Sequence, residues 1–140
     1  PAEVYGRPAN LFVAGFIGTP PMNTLPGTFA DGIFSHPAIT ARFAVTGAPA
    51  KVVLGVRPED VVIGPGPYRA TVRVVEPTGH ETIVMLDAGG SPLTARAPAE
   101  ATLNPGESVS FALRAERLHL FDATSEARLD ARAMSVEESV

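Results

Sequence analysis

The chain has 140 residues, enough for one domain or a small domain with an appended segment, and its 45% hydrophobic content excludes a disordered chain. Its 11 basic and 15 acidic residues give a net charge of -4, with Lys51 the single lysine and no basic run, which argues against non-specific binding to nucleic acid or anionic lipid. The absence of cysteine excludes disulfide scaffolds and thiolate metal sites and allows a reducing cytoplasm, and no apolar stretch approaches the ~20 residues of a membrane span.

The elements begin with the one helical stretch, Pro1 to Ile17. Pro1 and Glu3 suit a first turn. Pro8 cannot sit inside a continuing helix, so a second short helix is expected to start near Pro8 to Asn10 and to carry Leu11, Phe12, Val13, Phe16 and Ile17. Gly18, Pro20 and Pro21 end it. The run Leu11 to Ile17 is too short for a signal peptide. It is apolar on most sides and expects cover from the following domain or from another. The start at Pro1 rather than Met suggests a processed protein or an excised fragment, of which the fragment is the favoured reading.

From Met22 the pattern turns to period two. The chain carries 13 glycines and 14 prolines among its 140 residues, well above the usual share of about 12%, and this punctuation reads as short strands joined by turns. Strands are expected at Gly27 to Phe34, Ile39 to Val45 and Lys51 to Val56. Tyr68 to Val75 alternates, with Ala70, Val72 and Val74 on one face and Arg69, Thr71 and Arg73 on the other. Thr82 to Leu86 and Leu93 to Arg96 flank a glycine hairpin turn at Gly89-Gly90. Asn104-Pro105-Gly106 turns into Ser108 to Leu113, and Leu118 and Leu120 close the series. Residues 130–140 carry few large apolar groups and are expected to fray. Short strands at regular spacing with glycine turns predict a small antiparallel barrel or sandwich.

Catalytic motifs are missing from this pattern. A phosphate-binding loop needs glycine amides followed by a lysine and a hydroxyl, and Lys51 stands between Ala50 and Val52. Gly64-Pro65-Gly66-Pro67 loses amide donors to its prolines and reads as a turn. His36, His80 and His119 stand far apart, without metal spacing, and read as surface or barrel-rim residues. Glu76, His80 and Glu81 surround the Pro77-Thr78-Gly79 turn and read as solvated turn residues. In Gly55-Val56-Arg57-Pro58-Glu59-Asp60, Pro58 restricts Arg57 to an extended conformation. That string reads as a strand-end turn with an exposed ion pair, Arg57 and Glu59 pairing with each other or with Glu81 and Arg73. The other reading of it is a contact site for a second domain.

Several strings carry a family resemblance. Pro1-Ala2-Glu3-Val4-Tyr5, Arg7-Pro8-Ala9-Asn10 and Phe12 through Asn23 resemble the segment that leaves the nucleotide-binding domain in sugar-importer ABC ATPases of the maltose and glycerol-3-phosphate type. Leu54 to Asp60, Val75 to Thr82 and His119 to Ala123 agree in order and spacing. The resemblance implies a mainly-β, OB-like small antiparallel barrel of the TOBE/MOP-like kind, preceded by a short N-terminal helical segment. It implies a helical linker over residues 1–21, a barrel over 22–129 and a tail over 130–140. It further implies a regulatory and dimerisation role for the fragment, with catalysis, ATP and Mg belonging to the parent chain upstream of Pro1. The fragment itself is expected to hold no cofactor and no metal.

The partners so implied are a second copy of the subunit, the transporter's membrane subunits and a regulatory protein, at the cytoplasmic face of the bacterial inner membrane. Candidate contact residues are Leu11, Phe12, Phe16, Ile17, Arg57, Glu59, His80 and Glu81. A second reading is a small-oxyanion or metabolite-sensing domain of the same fold. A nucleic-acid-binding barrel would need a basic groove with aromatic platforms, which the charge of -4 and the 6% aromatic content disfavour.

Overall fold

The structure, a computed structural model, describes residues 7–16, 18 and 20–134, with the side chains of Phe12 and Phe16 left aside. Its first element is a six-residue helix, α1 (Leu11–Phe16). Asn10 caps it: the Val13 amide donates to Asn10 Oδ1 at 2.9 Å and the Ala14 amide to the Asn10 carbonyl at 3.0 Å, as an N-cap requires. Gly18, at φ 106°, turns the chain away from it. The helix expected nearer Pro1 lies outside the described residues.

Among the described residues ten strands follow: β1 (Asn23–Ala30), β2 (Ile33–His36), β3 (Ile39–Val45), β4 (Lys51–Val56), β5 (Val61–Pro77), β6 (Glu81–Ala88), β7 (Ser91–Pro98), β8 (Ser108–Leu113), β9 (His119–Asp122) and β10 (Ala131–Ala133). They form a six-stranded sheet in the order β10-β3-β2-β1-β4-β9 and a four-stranded sheet in the order β7-β6-β5-β8. Every described pairing is antiparallel. The inner faces of both sheets share one core, in which Leu25, Phe34, Ile39, Leu54, Leu86, Leu93, Phe111 and Leu120 are fully buried. Each such side chain contributes about 1.5–3 kcal/mol by leaving water. The architecture is thus mainly β and barrel-like.

Polar ties join the two sheets at their margins. Asn23 on β1 accepts from the Thr94 amide of β7 and donates to its carbonyl, both at 2.8 Å. The His36 ring meets Ser91 Oγ at 2.9 Å and accepts the Ala38 amide on Nδ1 at 3.0 Å, so its Nε2 carries the proton toward Ser91. The Tyr68 hydroxyl donates to the Thr40 carbonyl at 2.8 Å. Burial lowers the His36 pKa and raises that of Tyr68.

Several expectations need correction. The strand predicted over Gly27 to Phe34 is a hairpin: Ala30 pairs with Ile33, and Asp31 and Gly32 take φ of 52° and 78°, the positive pair a two-residue type I′ turn demands. Gly64 to Pro67 does not reverse the chain. Ile63 and Tyr68 both pair with Phe111, so residues 64–67 bulge out of a strand that continues on both sides. Val74 was expected beside Ala70 and Val72, but the register slips between Val72 and Val74, and Val74 is 43% exposed. Arg73 takes up the extra position, so Val75 packs against the core instead. In the stretch expected to fray, Ala131–Ala133 pairs with Phe43–Val45 as β10; residues 135–140 lie outside the described residues.

Candidate functional site

The chain passes between its two sheets at two neighbouring points. The first follows β4, where Arg57 is extended at φ -69° and ψ 149°, as the following proline dictates. A short 3-10 turn, Pro58–Asp60, then leads into β5. The second follows β8, where the 3-10 turn Ala115–Arg117 leads into β9. Because β4 pairs with β9 and β5 with β8, the crossovers lie side by side. The Arg114 amide donates to the Asp60 carbonyl at 3.0 Å, and the Arg114 guanidinium lies 3.5 Å from the Asp60 carboxylate.

This crossover is not the exposed ion pair expected of the Arg57-Pro58-Glu59-Asp60 string. Arg57 is 3% and Asp60 8% exposed, and Glu59 is half-buried. Burial, then the neighbouring Glu59 charge, raises the Asp60 pKa, while Arg117 and Arg114 act to lower it. The strings Leu54 to Asp60 and His119 to Ala123 meet here, with Gly55 opposite His119 and Leu54 opposite Leu120. Gly55 is required by that approach: a Cβ would stand 2.7 Å from Met22 Sδ and 2.8 Å from a Phe121 ring carbon. Leu11 of α1 is half-buried against Ala14, Met22 and Phe121, a small cluster on this side of the six-stranded sheet. Thus the barrel covers part of the helix. The side chains of Phe12, Phe16 and Ile17 lie outside what the structure describes.

The other candidates occupy the β5–β6 turn. Thr78 shapes it, its amide donating to the Glu81 carbonyl at 2.9 Å and its hydroxyl accepting the Glu81 amide at 3.3 Å. His80 is exposed. Glu81 lies 3.6 Å from Arg96, and Arg73 lies 2.9 Å from Asp87, so these two charges pair within the four-stranded sheet. Both pairs are partly exposed, so water screens them and each adds little to stability.

His119, expected at a surface or rim, is only 7% exposed. Its neighbours reach it through the turn after β9. Asp122 Oδ1 accepts the amides of Thr124 and Ser125 at 2.7 and 3.0 Å, and these amide bonds hold its carboxyl below the usual range. The turn carries the chain back so that Arg128 donates its amide to Ala9 at 2.9 Å and Leu129 to Leu120 at 2.8 Å. The Arg128 guanidinium thereby meets His119 Nδ1. A guanidinium only donates, so Nδ1 accepts and Nε2 carries the ring proton. Burial foremost, then the charges of Arg128, Arg57, Arg7 and Arg117, push the His119 pKa down to about 4, which keeps the ring neutral at pH 7.

These groups border a cleft of about 510 Å³ lined by Arg7, Arg117, His119, Arg128 and Arg132, with Glu116 and Asp130 as its acids. An apolar cavity of about 360 Å³, reaching Tyr68, Leu113 and Met134, adjoins it along Ala115, Leu118 and Ala133. Sequence reasoning missed this convergence, since the arginines fall in no run and only the folded crossovers gather them. Among the described residues no group of three His, Cys, Asp or Glu is placed to hold a metal, and no helix is long and apolar enough to cross a membrane.

Residues 54–121, from β4 through both crossovers to β9, match the family model described as TOBE domain. An ATP-binding protein of Brucella abortus (strain 2308) is 44% identical over 131 residues, covering 89% of this chain and 37% of its own length. The sn-glycerol-3-phosphate import ATP-binding protein UgpC of Ruegeria sp. is 40% identical over 126 residues, covering 87% of this chain and 36% of its own. The trehalose/maltose import ATP-binding protein MalK of Thermococcus litoralis is 37% identical over 144 residues, covering 89% and 39%. The chain therefore spans less than two-fifths of the length of these relatives. Among solved structures, the molybdate-bound cytoplasmic molybdate-binding protein ModG superposes with a TM-score of 0.53 at 20% identity, covering 70% of this chain and 94% of that one; that likeness concerns the fold. Residues 54–121 thus match the TOBE domain, and the chain is similar, along nearly nine-tenths of its length, to part of the import ATP-binding proteins UgpC and MalK.

Proposed function

We propose that this chain is the C-terminal regulatory and dimerisation part of the ATP-binding subunit of an ABC importer for carbohydrates or glycerol-3-phosphate-like solutes. The observation that carries this reading is the homology to import ATP-binding proteins over 87 to 89% of the chain at 37 to 40% identity. In the parent protein, ATP and Mg would act in the portion that the relatives possess beyond this chain, and hydrolysis there would drive uptake. The segment described here has a filled barrel interior and supplies contacts.

The crossover between the sheets supports that role physically. It ties Arg57, Asp60 and Arg114 into one hydrogen-bonded unit that joins the two sheets. The partners of the parent would be a second copy of the subunit, the membrane subunits and a regulatory protein, and its place would be the cytoplasmic face of the inner membrane. Sedimentation equilibrium of this chain tests the dimerisation role: a monomer–dimer equilibrium at high micromolar concentration is expected, and a purely monomeric chain there would refute it.

A further inference from the structure

The basic cleft beside the crossovers has a specific chemistry. Four arginines, Arg7, Arg117, Arg128 and Arg132, line it against two acids, Glu116 and Asp130. Arg57, in the buried crossover, acts on His119 together with Arg128, Arg7 and Arg117. Four of the chain's 11 basic residues thus line one cleft of a protein whose net charge is -4. Gathering like charges is unfavourable, and an anionic ligand relieves that cost.

Two further features point the same way. Arg128 Nε is buried without a hydrogen-bond partner, and a buried orphan donor is costly unless something completes it. The ring of His119 is held by Arg128 with Nδ1 as acceptor, which leaves Nε2–H as a neutral donor on a ring that lines the cleft. Guanidinium groups grip oxyanions through paired N–H donors. The volume of about 510 Å³ lies within the range of small-ligand sites, roughly 300–1,000 Å³. The adjoining apolar cavity leaves room for an organic portion.

We propose that this cleft is a binding site for a small, multiply charged oxyanion, a diphosphate or phosphate ester in chemical class, gripped by Arg7, Arg117, Arg128 and Arg132 with His119 Nε2–H as an added donor. This inference is independent of the importer reading, because it rests on the cleft alone. Its ligand would report a metabolic state to the domain from a place that the sequence could not disclose.

Calorimetric titration of the chain with pyrophosphate at low salt tests it, with amide NMR shifts locating the contact. One saturable site is expected, with shifts at Arg117, His119 and Arg128. Arg128→Gln should weaken binding about tenfold or more. Because Arg128 is partly buried, Arg117→Gln, on an exposed turn, provides a second variant that leaves the core untouched and should also weaken binding several-fold. Arg69→Gln, an exposed position bonded to Ser108 and Ser110 on the other sheet, should leave it unchanged. Absence of saturable binding, equal weakening by Arg69→Gln and Arg117→Gln, or tighter binding of citrate than of pyrophosphate would overturn the proposal.

Discussion

At pH 7 the His119 ring is neutral, buried, and surrounded by guanidinium groups. Protonating it would set a further cation among Arg128, Arg57, Arg7 and Arg117. The folded chain therefore binds that proton only near pH 4, whereas the unfolded chain binds it near 6.5. A group with a depressed folded value stabilises the fold fully above its unfolded value, and that contribution drains as pH falls from about 6.5 toward 4. At about 1.4 kcal/mol per pH unit the ceiling is near 3 kcal/mol. The ring borders an open cleft where water screens the arginines, so about 1–2 kcal/mol is the working figure. Urea unfolding of the chain and of His119→Gln at pH 7.5 and 4.5 isolates the effect. Asp60, whose raised pKa acts in the opposite sense, and His36, which acts in the same sense, are common to both proteins. The stability advantage of the parent sequence over His119→Gln should shrink by about 1–2 kcal/mol on acidification. An advantage that is constant or grows would refute the reasoning.

Two substitutions probe the packing that positions the crossovers. At Gly66 a Cβ would stand 2.2 Å from the Phe111 carbonyl oxygen; backbone on both sides cannot yield cheaply, so Gly66→Ala should cost about 1–3 kcal/mol in urea unfolding, and an unchanged midpoint would contradict the bulge. Asn23→Ala removes both bonds to Thr94 and should cost about 1–3 kcal/mol through the stranded Thr94 groups; a neutral result would show that water replaces the tie between the sheets.

Much of the fold was legible because period-two alternation reports which face is buried. Ile39 to Val45, Lys51 to Val56, Ser108 to Leu113 and the Gly89-Gly90 hairpin all lie where the pattern put them. The pattern failed where one residue resets the alternation. Arg73 in its bulge and the Asp31-Gly32 turn both do this locally, and a run of apolar residues smooths over them. Gly64 to Pro67 misled for another reason: glycine and proline signal irregular backbone, but a bulge and a reversal use the same residues. The string at Arg57 was noticed through Pro58, yet its burial comes from two crossovers packing together, which are 50 or more residues apart in sequence. The cleft was illegible altogether. Arg7, Arg117, Arg128 and Arg132 have no spacing in common, and only the antiparallel pairing of β4 with β9 and the return from Asp122 to Arg128 bring them to His119.

The proposed role of this domain is in an ATP-driven importer. The full-length subunit assembled with its membrane subunits in vesicles provides the direct measurement: ATP-dependent uptake of a carbohydrate or a glycerol phosphate, with and without residues 22–129. Uptake coupled to ATP hydrolysis is expected in the intact subunit, with loss of that coupling or of its regulation in the truncated one. Equal, equally regulated uptake by both would contradict it, as would an intact subunit that hydrolyses no ATP.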